Sequence, residues 1–215
     1  MAAMRGRPLD LVLASASPRR RELLAAVGLA FRVVPADLDE AAIGRDLPPE
    51  AAALTVAAAK AVAVADRGAV VLAADTIVVL DGRMLGKPGS ADEAGDMLRE
   101  LRGRTHEVVT GVAVQGDGEH LAVRWSAVRM RAYGVDEIDA YVAAGGGLDK
   151  AGAYGIQDEP FRPVAAIEGC WCNVMGLPLW TAVRLLDLAG CDVPGRPDHA
   201  FARCASCPLA GAEPT

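Results

Sequence analysis

The chain has 215 residues, of which 52% are hydrophobic, 23% are charged and only 4% are aromatic, and its formal net charge at pH 7 is −6. This acidic balance argues against a general nucleic-acid-binding protein, because such a protein needs a broad basic face to displace the counterions of the phosphate backbone. No run of about 18 apolar residues predicts a membrane span, and no signal peptide is recognisable, so we expect a cytoplasmic protein that binds neither nucleic acid nor membrane.

The first half of the chain predicts strands and helices in alternation, because short apolar runs alternate with stretches whose apolar residues recur at helical spacing. In chain order the predicted elements are a strand at 9–15, a helix ending at Gly28, a strand at 31–39, a helix at 48–68, two strands at 69–85 and a helix at 90–103. We expect residues 73–76 to separate the two strands and Asp81-Gly82 to form a hairpin-type turn.

The second half predicts a β-meander followed by helices and a glycine-rich loop. Its predicted elements are strands at 106–115 and 120–133, a helix at 135–145, a loop at 145–157, a strand at 163–176 and a helix from about 177. The whole is a mixed α/β protein with antiparallel additions, not a uniform βαβ repeat. We expect one domain over residues 9–190, with residues 1–8 and 194–215 as flexible tails.

Three arginines follow the predicted N-cap of the first helix. Cations are unfavourable there, because the N-terminal end of a helix carries partial positive charge. A polyphosphate bound near Ser15, Arg19 and Arg20 would reverse that cost, since both the free backbone N–H groups and the guanidinium groups bind phosphate oxygens. The alternative is that the arginines point to solvent and pair with nearby acidic residues.

Two acids and two lysines are further candidates for a site. Asp75 lies in an apolar, β-rich stretch, where a carboxylate is costly unless it is paired or binds a metal; capping a turn is its alternative role. Glu40 follows the second predicted strand and could supply a second carboxylate for Mg²⁺, although acids in loops are common. Lys60 is the only cation on the alanine-rich helix and could instead extend to water, and Lys87 lies between a glycine and a proline.

Five cysteines lie in the last quarter of the chain. Cys204 and Cys207 have half of a zinc-site spacing, but no second pair of that spacing and no paired histidine follow. Reduced thiols are the favoured interpretation, and a zinc or redox role is the alternative.

Five motifs resemble, in order and spacing, those of the Maf family of nucleoside triphosphate pyrophosphatases, also described as septum formation inhibitors. They are LASASPRRRELL, AADTIVVLDGRMLGKP, RGRTHEVVTGVAV, LDKAGAYGIQ and IEGCWCNVMGLPL. The resemblance covers roughly residues 9–190. It implies a mixed twisted sheet with flanking helices, two lobes around a cleft, a fold related to inosine triphosphate pyrophosphatases, and a homodimer.

The resemblance also implies a reaction. The family hydrolyses a nucleoside triphosphate between the α and β phosphates, giving the monophosphate and pyrophosphate, with Mg²⁺ or Mn²⁺ as cofactor. The residues that would bind phosphates are Ser15, Arg19, Arg20, Lys60 and Lys87. Glu40 and Asp75 would hold the cation or orient water, and the catalytic set would be Asp75 as general base, Lys87 and Gln157.

Gln157 bears on the substrate. The segment AGAYGIQ resembles the branch of the family that acts on dTTP and UTP, whereas the branch that acts on 7-methyl-GTP typically has a glutamate at this position. This chain departs from the usual pattern in having Asp158 and Glu159 next, where a glycine is common. The alternatives are a 7-methyl-GTP pyrophosphatase and a nucleotide-binding regulator of septation without turnover.

Overall fold

The computed structural model describes residues 10–65 and 68–211. The predicted N-terminal tail, 1–8, and residues 212–215 lie outside the described residues. The strands are Asp10–Leu13 (β1), Arg32–Val33 (β2), Ala69–Leu80 (β3), Arg83–Leu85 (β4), Thr105–Gln115 (β5), Glu119–Met130 (β6) and Val164–Glu168 (β7). The helices are Pro18–Ala25 (α1), Glu40–Gly44 (α2), Pro49–Ala63 (α3), Ala91–Leu101 (α4), Val135–Ala143 (α5), Trp171–Met175 (α6), Leu179–Leu188 (α7) and Pro197–Ala200 (α8).

The seven strands of the described residues join one sheet, in the order β2-β1-β3-β5-β6-β7, with β4 paired to β3. Strand β1 runs parallel to both β2 and β3, because helical connections return the chain to the same end of the sheet each time. The remaining pairs, including β3 with β5 and β5 with β6, are antiparallel. The predicted mixed α/β class with antiparallel additions is therefore confirmed.

Two short strands share one edge of β3 and leave a gap between them. Strand β1 pairs with Ala69–Leu72 and β4 pairs with Val78–Leu80, whereas β5 covers the opposite edge continuously from Val71 to Val79. In the described part of the chain, residues 73–77 thus have no strand beside them on the β1 side. The chain leaves β1 at this point and turns through residues 14–17 into α1.

The expected break at residues 73–76 is wrong. Strand β3 is continuous, and its two alanines there are buried on opposite faces of the sheet. Ala73 packs with the alanines of α3, whereas Ala74 belongs to the apolar cluster that includes α1, α6 and α7. Close packing on both faces, and not a turn, accounts for these small residues. The hairpin turn that follows is confirmed, since Asp81 and Gly82 both have positive φ, 50° and 78°, between β3 and β4.

Helix α3 lies unusually close to the sheet. A Cβ added to Gly111 of β5 would come within 2.4 Å of the carbonyl oxygen of Ala53 in α3, so this approach requires glycine. The buried face of α3 is correspondingly small, with alanines at positions 53, 57 and 61. The helix ends at Ala63 and does not reach the predicted end at 68. Its last turn carries Lys60 over β3.

The predicted strand at 163–176 is only partly correct. Strand β7 ends at Glu168, and the chain then leaves the sheet through Gly169, whose φ is +118°. The next residues form α6, which buries Cys172 and Asn173 in the core. Apolar residues at this position are typical of a strand, but here they form a single buried helical segment.

The C-terminal segment packs on the core over most of its described length. It contains α8 and two 3₁₀ turns, Ala202–Cys204 and Pro208–Ala210. The indole Nε1 of Trp180 donates to the carbonyl oxygen of Cys204 at 3.0 Å, and the Arg184 guanidinium donates to the carbonyl oxygens of Leu209 and Ala210. This packing differs from the flexible tail expected of a segment rich in proline, glycine and alanine.

Candidate active site

A cleft of about 740 Å³ opens at the gap beside β3. Every residue that the sequence predicts for the site lines it; they are Ser15, Arg19, Arg20, Glu40, Lys60, Asp75, Lys87 and Gln157. The predicted strand–loop–helix segments therefore converge on one place. Because successive strand residues point to opposite faces, Asp75 faces α3, whereas Thr76 faces α1 and α6.

Arg20 is buried and held by three acceptors. Its Nε donates to the carbonyl oxygen of Gly176 at 2.7 Å, and its two terminal nitrogens donate to the hydroxyls of Ser15 at 3.2 Å and Thr76 at 3.1 Å. Burial lowers the pKa of Arg20, while the carboxylates of Asp75 and Glu40 act in the opposite direction. The alternative of an arginine that points to solvent is wrong here, and the guanidinium is a fixed cation in the cleft.

Arg19 pairs across the mouth of the cleft. Its guanidinium contacts the carboxylate of Asp149 at 2.7 Å, and Lys150 contacts the same carboxylate at 2.8 Å. Burial raises the pKa of Asp149, but hydrogen bonds from Lys150 and Arg19 outweigh it and lower the pKa to about 2. Asp149 thus stays charged and links α1 to the glycine-rich segment.

Lys60 bridges the two predicted metal-binding carboxylates. Its Nζ lies 2.8 Å from Oδ1 of Asp75 and 2.9 Å from Oε1 of Glu40. The Lys60 side chain is 6% exposed, so the alternative in which it extends to water is wrong. Asp75 lies inside β3, so it does not cap a turn. Glu40 is the first residue of α2, and the preceding Asp39 caps this helix by accepting a hydrogen bond from the backbone N–H of Ala42.

The donor set at this place fits a hard divalent cation. Asp75 and Glu40 offer carboxylate oxygens within reach of one shared ammonium, and such oxygens are the ligands that Mg²⁺ and Mn²⁺ prefer. Over the residues that the structure describes, no three His, Cys, Asp or Glu side chains are arranged to hold a metal ion. A cation bound by these two carboxylates would therefore complete its coordination with water and ligand oxygens, as Mg²⁺ commonly does.

Gln157 has an amide orientation that can be assigned from its surroundings. Its Nε2 donates to Oδ1 of Asp158 at 3.2 Å, and a carboxylate can only accept, so the amide oxygen points elsewhere. That oxygen is buried and has no hydrogen-bond partner among the described residues. Asp158 itself is held by Tyr141 and Lys150. The two acids that depart from the family pattern therefore have different surroundings. Asp158 orients Gln157, whereas Glu159 is exposed to solvent.

The hydrogen-bonded residues that lie behind the cleft and hold its lining in place were not identified from the sequence. The hydroxyls of Thr76 and Thr110 lie 3.0 Å apart, and Thr110 donates to the carbonyl oxygen of Asn173. Asn173 in turn donates to the carbonyl oxygen of Val108 and the hydroxyl of Ser126. This network fixes α6 and so places the Gly176 carbonyl that holds Arg20. The only available signal was Asn173 itself, a polar residue inside an apolar motif.

His106 lies behind the cleft and gives a pH-dependent prediction. Its Nε2 is 2.7 Å from the hydroxyl of Tyr154, and burial lowers the pKa of His106 from 6.5 to about 4. The unfolded chain therefore binds more protons than the folded chain between pH 6.5 and 4, and stability falls as the pH decreases through that window, by ~3 kcal/mol at pH 4. Urea unfolding of the unmodified chain and of His106→Phe at several pH values measures how the free energy of unfolding changes with pH. The variant loses this part of the pH slope whatever its absolute stability, and equal slopes would contradict the prediction.

No helix in the described ranges is both long and apolar enough to span a bilayer.

The sequence model of Maf-like proteins matches residues 10–189, and the chain belongs to this family, as the resemblance of its motifs predicts. A relative from Thermomicrobium roseum is 50% identical over 96% of this chain and 97% of its own length, and one from Moorella thermoacetica is 53% identical over 86% and 98%. A third, from Myxococcus xanthus, is 50% identical over 86% and 95%. All three are named dTTP/UTP pyrophosphatase.

Among solved structures, a HAM1 protein from Coxiella burnetii aligns with a TM-score of 0.43 and 16% identity, over 72% of this chain and 92% of its own. A likeness at this level does not define the fold. The mixed α/β class rests on the sheet order and pairing described above.

Proposed function

We propose that the chain is a nucleoside triphosphate pyrophosphatase that hydrolyses dTTP and UTP to the monophosphate and pyrophosphate. The observation that carries this proposal is the charge arrangement of the cleft: a fixed, buried arginine lies beside two carboxylates that share one lysine. A protein that only bound a polyanion would have no use for carboxylates there, because they repel phosphates unless a cation is bound between them. The names of the relatives support the substrate class.

The cations of the cleft suit the phosphate chain. Arg20 keeps its guanidinium plane fixed by Gly176, Ser15 and Thr76, so little side-chain entropy is lost when phosphate binds. Arg19 and the exposed Lys87 lie at the rim, where they can close on the phosphates once the ligand enters. We assign binding of the phosphates to these residues together with Lys60.

Glu40 and Asp75 would hold the divalent cation, Mg²⁺ or Mn²⁺. When bound, such a cation neutralises charge that develops on the leaving pyrophosphate. Water attacks the α phosphorus, the α–β anhydride bond breaks, and the electron pair leaves with pyrophosphate. Asp75 accepts the proton of the attacking water as general base, and Lys60 keeps its carboxylate in place from the α3 side.

We assign selection of the nucleobase to Gln157, which lines the same cleft. The unpartnered amide oxygen of Gln157 is an acceptor, and thymine and uracil both carry an N3–H donor, whereas cytosine has an acceptor at N3. This chemistry favours dTTP and UTP over CTP. The homodimer and the cytoplasmic location stay predictions.

A near-isosteric change at this position tests the selection. In Gln157→Met, the KM for UTP and dTTP is expected to rise about tenfold, since one lost hydrogen bond is worth ~1.4 kcal/mol. Steady-state kinetics with UTP, dTTP and CTP measure this change, and Glu159→Gln, at the exposed neighbour, serves as the control. An unchanged KM, or an equal rise for CTP, would remove Gln157 from base selection.

Release of pyrophosphate from a panel of nucleotides tests the proposed function as a whole. The panel contains dTTP, UTP, CTP, dGTP and 7-methyl-GTP, each with Mg²⁺, with Mn²⁺ and with EDTA. We expect cation-dependent turnover led by dTTP and UTP. Turnover led by 7-methyl-GTP would overturn the substrate, and nucleotide binding without turnover would replace the enzyme by a regulatory nucleotide-binding protein.

A further inference from the structure

Four of the five cysteines meet in the core beside α6. Cys170 precedes α6 and Cys172 lies within it, while Cys204 and Cys207 come from the C-terminal segment. All four are free thiols with exposures between 1% and 8%. The sulphur atoms of Cys172 and Cys204 are 3.4 Å apart, and Cys170 lies close enough to interact with Cys172 and Cys207. Residues more than 30 positions apart in sequence thus form one thiol cluster.

The spacing of the four cysteines is that of two ligand pairs. Cys170 and Cys172 are separated by one residue, and Cys204 and Cys207 by two, so each pair can present two sulphurs to a common centre. The second pair has the separation that zinc sites use most often, and four sulphur ligands form a closed structural site. The zinc alternative from the sequence rests on these same two pairs, but the sequence does not show that they meet.

We propose that Cys170, Cys172, Cys204 and Cys207 bind one zinc ion in a tetrahedral site that fastens the C-terminal segment to α6. A zinc–sulphur distance of about 2.3 Å places tetrahedral sulphurs about 3.8 Å apart. The 3.4 Å between the sulphurs of Cys172 and Cys204 is a thiol–thiol hydrogen bond, slightly shorter than the distance between two sulphurs of such a site. In this thiol form the sulphurs contact one another and are not arranged around a metal position in the described chain. Zinc binding therefore requires the sulphurs to move apart.

A buried arginine lies near the thiol cluster. Zinc binding requires that each cysteine loses its proton. Four thiolates around Zn²⁺ leave two negative charges, and Arg124, which is 8% exposed, lies close enough to interact electrostatically with Cys170. Arg203, the residue before Cys204, lies 5.3 Å from the ring of Trp171, the residue between Cys170 and Cys172 in sequence.

The site has a clear structural purpose. The family match ends at residue 189, so Cys204 and Cys207 belong to an addition made of very short helical turns. Such a segment has little regular secondary structure of its own, and a metal site is a common way to stabilise a small unit of this kind. Its other anchor point is α6, whose end carries the Gly176 carbonyl that holds Arg20. The proposal does not depend on the proposed function, since neither pair of cysteines lines the cleft.

The metal content of the purified chain tests the proposal. Protein produced without added metal, kept reduced and dialysed against EDTA, is expected to contain one zinc per chain by mass spectrometry of the elements. A mercurial reagent that reacts with thiolates should release it. The double variant Cys204→Ser/Cys207→Ser should contain almost none. Cys191→Ser, at the fifth cysteine, should keep the zinc, and so should Asp75→Asn, which separates this site from the cleft.

Cobalt gives a readout that does not need the variants to fold. After release of zinc, Co²⁺ added to the unmodified chain should give the intense d–d and thiolate charge-transfer bands of a tetrahedral sulphur site. Three results would overturn the proposal: a zinc content below about one tenth per chain together with no such bands, an intact mass lower by two hydrogens that indicates a disulfide between Cys172 and Cys204, or an unchanged zinc content in a folded double variant.

Discussion

Asp75→Asn is expected to lower kcat for dTTP by about 10² to 10⁴-fold, the range for loss of a positioned general base. The amide has nearly the same shape and its oxygen can still accept from Lys60, so the contact at 2.8 Å has a substitute and the fold is kept. What disappears is the negative charge that accepts a proton and contributes to cation binding. Pyrophosphate release measured at several Mg²⁺ concentrations gives kcat and the apparent affinity for the cation separately.

The matched control for this variant is Asp81→Asn. Asp81 lies at the end of the same strand, its side chain is 74% exposed, and asparagine tolerates its positive φ. It should turn over dTTP like the unmodified chain. Calorimetric titration of Asp75→Asn with a nucleotide should still show binding, because the phosphate-binding arginines are unchanged. Turnover within threefold of the unmodified chain would exclude Asp75 as the base.

Among the cleft variants proposed above, Lys60→Met is expected to lower the free energy of unfolding the most. Removing the ammonium leaves Asp75, 13% exposed, beside Glu40 with no cation between them. Breaking a buried ion pair from one side typically costs about 3–5 kcal/mol. Glu40 is 41% exposed and can turn to water, so we expect the lower end of that range, or a fall in Tm of roughly 6 to 12 °C for a chain of this size.

Thermal unfolding with EDTA and with Mg²⁺ tests the electrostatic origin of this effect. A divalent cation can take the place of the ammonium between the carboxylates, so Mg²⁺ should raise the Tm of Lys60→Met more than that of the unmodified chain. Lys87→Met is the control, because Lys87 is an exposed lysine of the same cleft and its loss should leave the Tm unchanged. A Lys60→Met variant as stable as the control would show that the bridge contributes nothing.

Asp75, Lys60 and the two arginines of the cleft could be recognised from the sequence because each of them violates a local rule. An acid in an apolar strand, a lysine on an alanine-rich helix and arginines at a helix N-terminus are all costly without a partner. The sequence does not show that Lys60 meets Asp75 and Glu40, since that contact depends on how closely α3 approaches the sheet at Gly111.

Other features of the site have no such signal. The carbonyl of Gly176 that holds Arg20 is a backbone group, and Thr76 is an ordinary strand residue. The thiol cluster is invisible for a different reason: Cys172 and Cys204 are brought together only by the packing of the C-terminal segment. The wrong break in β3 arose because alanine and aspartate are depleted in strands, although here the two alanines allow packing on both faces.

The gap beside β3 also bears on how the protein avoids aggregation. An uncovered strand edge offers free backbone donors and acceptors to any other extended chain. Here the uncovered stretch is only residues 73–77, closed at one end by β1 and at the other by β4. Arg20 and Lys60 place charges over it from the two faces, and charges directed at an edge are one means by which β-sheet proteins prevent unwanted strand addition. The groups that we assign to substrate binding would thus also protect the unliganded protein from self-association.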